Sequence, residues 1–220
     1  MFKKLAIILT LSSALTCFST NSYSAETIHQ PPHQVIERIE KEVGIIDIIG
    51  EIDDNSADIV HKGFHHFKTA GISYVIIHLN SLGGKITDGT FIINDILDAE
   101  EHGVTVVTYV DHKDYCASMC TGIFAVGSDR MAAPDTIWIF HAPYAKLTSD
   151  EENDPQIMKE VQEATKEAEE YMLSIYSKAD PEWTENVLKD HITQPGNDLI
   201  ITGADIIAQH TKWILMPIYY

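Results

Sequence analysis

Between residues 73 and 127 the chain twice runs a β-branched strand into a tight turn and out into an apolar helix. The first pass is 73–79 (SYVIIHL), the turn Asn80-Ser81-Leu82-Gly83-Gly84, and a helix whose Phe91, Ile92, Ile96 and Leu97 share one face before Gly103. The second is 104–110 (VTVVTYV), a passage over 111–115, and an apolar helix over 117–126 closed by Gly127. A strand that reaches the next strand only through a helix has no hairpin to reverse it. It pairs in parallel through a crossover, so the repeated pattern predicts an α/β fold with a mainly parallel sheet.

The flanking segments extend the pattern. Residues 44–50 (GIIDIIG) read as a buried strand between glycines, and 55–70 as a helix with Ile59, Gly63, Phe64 and Phe67 on one side. The spacing of apolar residues over 35–42 predicts a short amphipathic helix. Further on come a strand at 137–140 (IWIF), a long helix from about Pro155 to 178, and a shorter helix over 181–190. A strand over 199–201, a helix over 204–209 and a last strand over 213–216 complete the reading. The 220 residues suit one domain with a full core.

Residues 1–25 differ from the rest. Lys3 and Lys4 precede an apolar run over 5–18, followed by small polar residues up to Ala25, the layout of a secretory signal peptide. The run is too short to predict a membrane span. The expectation is export to the periplasm or beyond, with a mature domain over 26–220; an uncleaved segment would leave it membrane-associated. Removing residues 1–25 takes away two of 15 basic residues and no acidic one, leaving 13 against 33, a balance of −20. Such a surface repels nucleic acid and anionic lipid. Cys116 and Cys120 would remain, four residues apart. An oxidising compartment permits a disulfide between them, and the geometry allows it if Cys116 lies before the helix begins.

Three places carry chemistry. The glycines of the 81–84 turn let the backbone bend sharply and leave amide N–H groups at a helix N-terminus, donors suited to a phosphate or an oxyanion; a turn that needs positive φ explains them equally well. Ser118 sits where the strand-loop passes into a helix, the place of a nucleophile or of an ordinary N-cap. His141 ends a strand, where α/β proteins place their sites, and a buried hydrogen-bonded histidine is the plain alternative. His61, His65 and His66 on one predicted helix read as a solvated face, so no metal is expected, and no phosphate or dinucleotide fingerprint calls for a cofactor.

The order of these features resembles the Clp protease proteolytic subunit and the crotonase-like superfamily around it, most closely its exported members with a CAS-type motif. The residues that carry the resemblance are NSLGG at 80–84, CASM at 116–119, AVG at 125–127 and IFHAP at 139–143. It covers 44–145 clearly and 196–216 more weakly. It implies a fold of repeated strand–strand–helix units, Ser118 as nucleophile, His141 as general base, and the backbone N–H groups of Gly84 and Met119 as an oxyanion hole. Asp198 in NDLIITGA matches the third member of a triad, with Asp190 the alternative. Leu82 stands where the family has Pro, and Asp114-Tyr115 where a Gly-containing approach to the serine is usual.

The resulting expectation is an exported serine endopeptidase acting on peptides or proteins without ATP. An exported chain meets no ATPase ring, so that partner is not inherited; relatives form rings, which leaves a homo-oligomer open. Lys85 or Lys113 in a Ser–Lys dyad is a competing chemistry. A binding or scaffold protein that kept the fold, and a crotonase-like acyl-CoA enzyme, are the competing functions.

Overall fold

The computed structural model describes residues 31–209 and 211–219; the predicted signal segment 1–25 and its cleavage site lie outside them. Six strands form the main sheet in the order β1-β2-β3-β4-β6-β9: β1 Gln34–Glu40, β2 Val43–Ile49, β3 Tyr74–Asn80, β4 Thr105–Val110, β6 Asp129–Ala132 and β9 Met216–Pro217. From β2 onward every pairing is parallel, as the crossover pattern requires. A second sheet of β5 Tyr115–Ala117, β7 Ile137–Phe140 and β8 Leu199–Thr202 stands against it, with β8 antiparallel to β7.

The edge strand β1 overturns the helix expected over 35–42. It pairs antiparallel with β2 from Gln34↔Ile49 to Glu40↔Val43, and the turn residues Lys41 and Glu42 have φ of 51° and 68°. Positive φ at both central positions is what a type I′ hairpin requires. The turn lacks the Asn or Gly that would announce it, and the apolar spacing fits a helix equally well.

Helices α1 Asp54–Thr69, α2 Ile86–Glu101 and α3 Met119–Ala125 cover one face of the main sheet. Asp53 caps α1 through a reciprocal bond with Ser56. Ile46, Ile48, Val75, Ile77 and Leu79 meet Val60, Phe67, Ile92, Ile96 and Ile123 in a dry core. Burying each such side chain contributes roughly 1.5–3 kcal/mol. A second packing centre is aromatic: Trp213 touches Phe140, Tyr176 and Trp183 with ring centroids 5.3–5.4 Å apart.

After β7 a single helical turn, α4 Ser149–Glu152, leads into α5 Pro155–Ala179, capped by Asp154. The region 181–193 is continuous helix with a π-helical stretch, Thr184–Leu188, between α6 Pro181–Trp183 and α7 Lys189–Thr193. Helix α8 Gly203–Ala208 follows β8. The last strand is shorter than predicted, because 213–214 turn inward as core instead. No described helix is long and apolar enough to cross a membrane.

Candidate active site

The expected helix over 117–126 begins later than its sequence suggests. Tyr115–Ala117 is a strand, β5, in parallel with β7, and α3 starts at Met119. Ser118 is the corner between them, with φ 54° and ψ −126°. A serine in that region is strained by about 1–3 kcal/mol, and a strained strand-to-helix corner is how an α/β scaffold lifts a nucleophilic oxygen clear of its backbone. Ser118 is the N-cap residue of α3 by position, but its side chain makes no capping hydrogen bond. Its N–H donates to Ile139 O at 2.9 Å, and its carbonyl accepts from Thr121 N at 2.9 Å and Thr121 Oγ1 at 2.6 Å.

Cys116 and Cys120 are bonded to each other across this corner, their Cα atoms 5.3 Å apart. The condition set by the spacing is met: Cys116 belongs to the strand and Cys120 to the helix, and the sharp turn at Ser118 brings them together.

The 81–84 turn meets the serine corner directly. Ser81 N donates to Tyr115 O at 2.9 Å, and Ala117 N donates to Ser81 O at 3.0 Å. Gly83, with φ +98°, lies so near that a Cβ placed on it would sit 2.6 Å from Ser118 Cβ and 3.2 Å from Met119 N. Gly84 is held by close approach rather than by φ: a Cβ there would fall 2.0 Å from Ile52 O. Ile52 N donates to Gly83 O and Lys85 N to Ile52 O, both at 2.9 Å, while the N–H groups of Gly84 and Met119 donate to no described residue. Leu82, in place of the family's Pro, is buried against Ala117 and Ile139.

His141 follows the last residue of β7 and lines one cleft with Ser118, Ile86, Met119, Pro143, Met172 and Tyr176. Its Nδ1–H donates to Ala142 O at 2.8 Å, which leaves Nε2 as the accepting nitrogen. A separate hollow at the C-terminal edge, lined by His112, Pro134, Asp135, Ile218 and Tyr219, shares no residue with this cleft.

The family model for Clp protease matches residues 28–196. The chain belongs to the Clp protease family. Membership makes it a peptidase-family protein with the α/β fold described above, and proteins of this family commonly form homo-oligomers. No curated protein matches the chain significantly. Within this Clp protease chain, Asp198 lies two residues past the matched segment. It is exposed and immediately precedes β8, whose Leu199 pairs with Phe140; one further step of that antiparallel register sets Asp198 across from His141. Among the described residues no hydrogen bond joins the two. Asp190 is exposed on α7, where its carbonyl accepts from Gln194 N.

The other sequence candidates are engaged elsewhere. Lys85 Nζ lies 3.6 Å from Asp88 and 3.7 Å from Asp54, and Lys113 is exposed on the loop before β5. His61 pairs with Asp95 and His66 with Glu37 on the outer side of α1. Two features escaped sequence reasoning. Tyr176, on α5, places its hydroxyl 2.6 Å from Thr121 Oγ1, the group that also holds Ser118 O; burial pushes that phenol well above its usual range. His78 and Asp114 bond one another at 2.7 Å where β3 ends and β5 begins. Nothing in the spacing of either pair signals a contact across 36 or 55 residues.

Proposed function

We propose that this Clp protease chain is an exported serine endopeptidase that works without ATP, with Ser118 as nucleophile, His141 as general base and Asp198 as the orienting acid. The observation that carries this reading is the strained serine corner packed against a Gly-Gly turn, with the unengaged N–H groups of Gly84 and Met119 beside it. His141 Nε2 takes the Ser118 hydroxyl proton as Oγ attacks the scissile carbonyl, and the oxygen that gains charge is received by the two N–H groups. The proton on Nε2 then passes to the leaving amine; water repeats the sequence on the acyl-enzyme. The bond from Nδ1 to Ala142 O already fixes the tautomer this requires. Asp198 therefore adds charge stabilisation to an imidazolium whose orientation is partly set.

The apolar wall of Ile86, Met119, Pro143, Met172 and Tyr176 suits an extended peptide with an apolar side chain. Lys3 and Lys4 before the apolar run support export, and export removes both ATP and an ATPase ring as partners. Peptide substrates, no nucleic acid and a homo-oligomer complete the proposal. One observation favours a second reading, a peptide-binding protein without turnover: Asp198 makes no bond to His141.

Labelling of the purified protein with a fluorophosphonate, mapped by mass spectrometry, decides between the two. The expected adduct is on Ser118, lost in Ser118→Ala and reduced by several orders of magnitude in His141→Ala. A wild type that neither labels nor cleaves peptides would leave the binding reading in place.

A further inference from the structure

The main sheet carries a charged cluster on the face opposite helices α1–α3, and Asn80 and Tyr115 join it to the two segments that lead to the proposed catalytic corner. His78, near the end of β3, has its ring between two carboxylates: Nε2 lies 2.7 Å from Asp114 Oδ2 and Nδ1 3.3 Å from Asp47 Oδ1. The ring stacks on Tyr109 of β4, with centroids 4.6 Å apart and planes at 19°. Arg38 of β1 pairs with the far side of Asp47. All three ionised partners of the cluster's core are largely enclosed, His78, Asp47 and Asp114 each showing only 15–16 % of their side chains to solvent. Burying three ionisable groups carries a desolvation penalty that a purely decorative pairing does not offset.

The second carboxylate oxygen of Asp114 accepts from Asn80 Nδ2, and Asn80 Oδ1 accepts from Tyr115 N at 3.2 Å. From this knot the chain runs in two directions. Four residues beyond Asn80 is Gly84; four residues beyond Asp114 is Ser118. The two segments leave side by side, bridged by Ser81 N to Tyr115 O and Ala117 N to Ser81 O. The knot therefore sits at the fork from which the proposed oxyanion turn and the nucleophile strand both depart.

We propose that His78 and Asp114 are positioning residues, whose clamp across Asn80 keeps the Gly83-Gly84 turn in register with Ser118. This rests on the serine peptidase reading of the same corner. The protonated ring supplies one N–H to each carboxylate. Every group facing it is an acceptor, an aromatic face or, behind Asp47, the Arg38 cation. Burial disfavours the imidazolium, but Asp114 and Asp47 together outweigh that and raise its pKa to about 9. A neutral ring has one N–H for two carboxylates, and its remaining bond loses the charge that strengthened it.

The test follows the rate of fluorophosphonate labelling of the full chain between pH 7 and 10.5, for wild type, His78→Gln and Asp114→Asn. Hydrogen exchange of the 80–85 and 114–119 segments and the thermal midpoint are recorded for the same samples. In the wild type the labelling rate is expected to fall about three- to ten-fold as pH passes 9, with the protein still folded. Both variants are expected to label about ten-fold more slowly at pH 7.5, to lack the alkaline fall, and to exchange faster in those two segments. Variants that label at the wild-type rate and keep its alkaline fall would overturn the clamp. So would a lowered thermal midpoint with unchanged labelling, which marks a purely structural pair. A wild type that labels at no pH rejects Ser118 as nucleophile instead. The exchange data then still decide the clamp: faster exchange confined to the two segments supports it, and wild-type exchange in both variants refutes it.

Discussion

Ser118 is fixed through its own N–H on Ile139 O, through Thr121 on its carbonyl, through a disulfide that spans it, and through Gly83 packed on its Cβ. His141 lines the same cleft, yet among the described residues its ring has one hydrogen bond, to the carbonyl of the next residue, and Asp198 opposite it is exposed. One side of the cleft is over-determined by contacts between segments far apart in the chain, and the other is held by near neighbours, the Ala142 carbonyl and the Tyr144 ring 5.9 Å away. A strained backbone persists only where its surroundings over-determine it, whereas a base needs only an accepting nitrogen within reach of a hydroxyl. The Ser118 side, the proposed nucleophile, should therefore tolerate little change, and Asp198, the proposed acid behind His141, should tolerate more.

The sharpest way to break this contrast is Gly84→Ala. Its Cβ would meet Ile52 O at 2.0 Å, so the turn must shift off Ile52 and carry the Gly84 N–H out of its present place. Labelling by fluorophosphonate is expected to drop at least about a thousand-fold, the scale of losing an oxyanion donor. A variant that labels normally would show that the close packing is not what fixes the corner.

Next in size is the response to alkali. The folded pKa of His78, about 9, lies above the 6.5 of an unfolded chain. Its contribution to stability is therefore whole below pH 6.5 and is lost as pH climbs through 9. It amounts to on the order of 3 kcal/mol, most of it still present at pH 7. Urea unfolding at pH 7 and pH 10 should show this difference in wild type and not in His78→Gln.

Removing the bridge with Cys116→Ala and Cys120→Ala together should lower stability by about 2 kcal/mol, as expected for closing so short a loop. The larger consequence should be slower labelling of Ser118. Denaturant unfolding and labelling measured together separate the two effects.

Asp198→Asn tests the loose side. With the tautomer already set by Ala142 O, the expected loss in turnover is about ten-fold, against several orders of magnitude for His141→Ala. Equal losses would mean that the two sides are held alike. The smallest effect belongs to Ser118→Gly, which relieves the φ of 54° and should raise the unfolding free energy by about 1 kcal/mol while abolishing activity.

Much of the fold was legible locally. The strands at 74–80, 105–110 and 137–140, and the helices at 54–69, 86–101 and 155–179, follow from runs of β-branched residues and from apolar periodicity. The pairing of the 81–84 turn with Ser118 was legible too, since each lies at the end of a strand in neighbouring crossover units. Strand β1 reads as a helix in the sequence because Lys41-Glu42 adopt a turn that their side chains do not announce. Strand β5 was hidden because three residues carry no period, and only β7 beside it gives them partners.

The amino-acid order alone determined the parallel α/β class, the glycines at 83–84, and Ser118 and His141 as the residues worth testing. The class and the glycines depend on backbone preference or burial pattern within a few residues; Ser118 and His141, each with a plain local alternative, are singled out by the resemblance of CASM and IFHAP to the Clp protease family. The tertiary structure decided the strain at Ser118, the His78–Asp114 knot and the Tyr176–Thr121 contact. It also decided that His141 bonds Ala142 rather than Asp198. These depend on which strand lies beside which and in what register. Register is set by the summed packing of the whole core, so no short stretch of the chain encodes it.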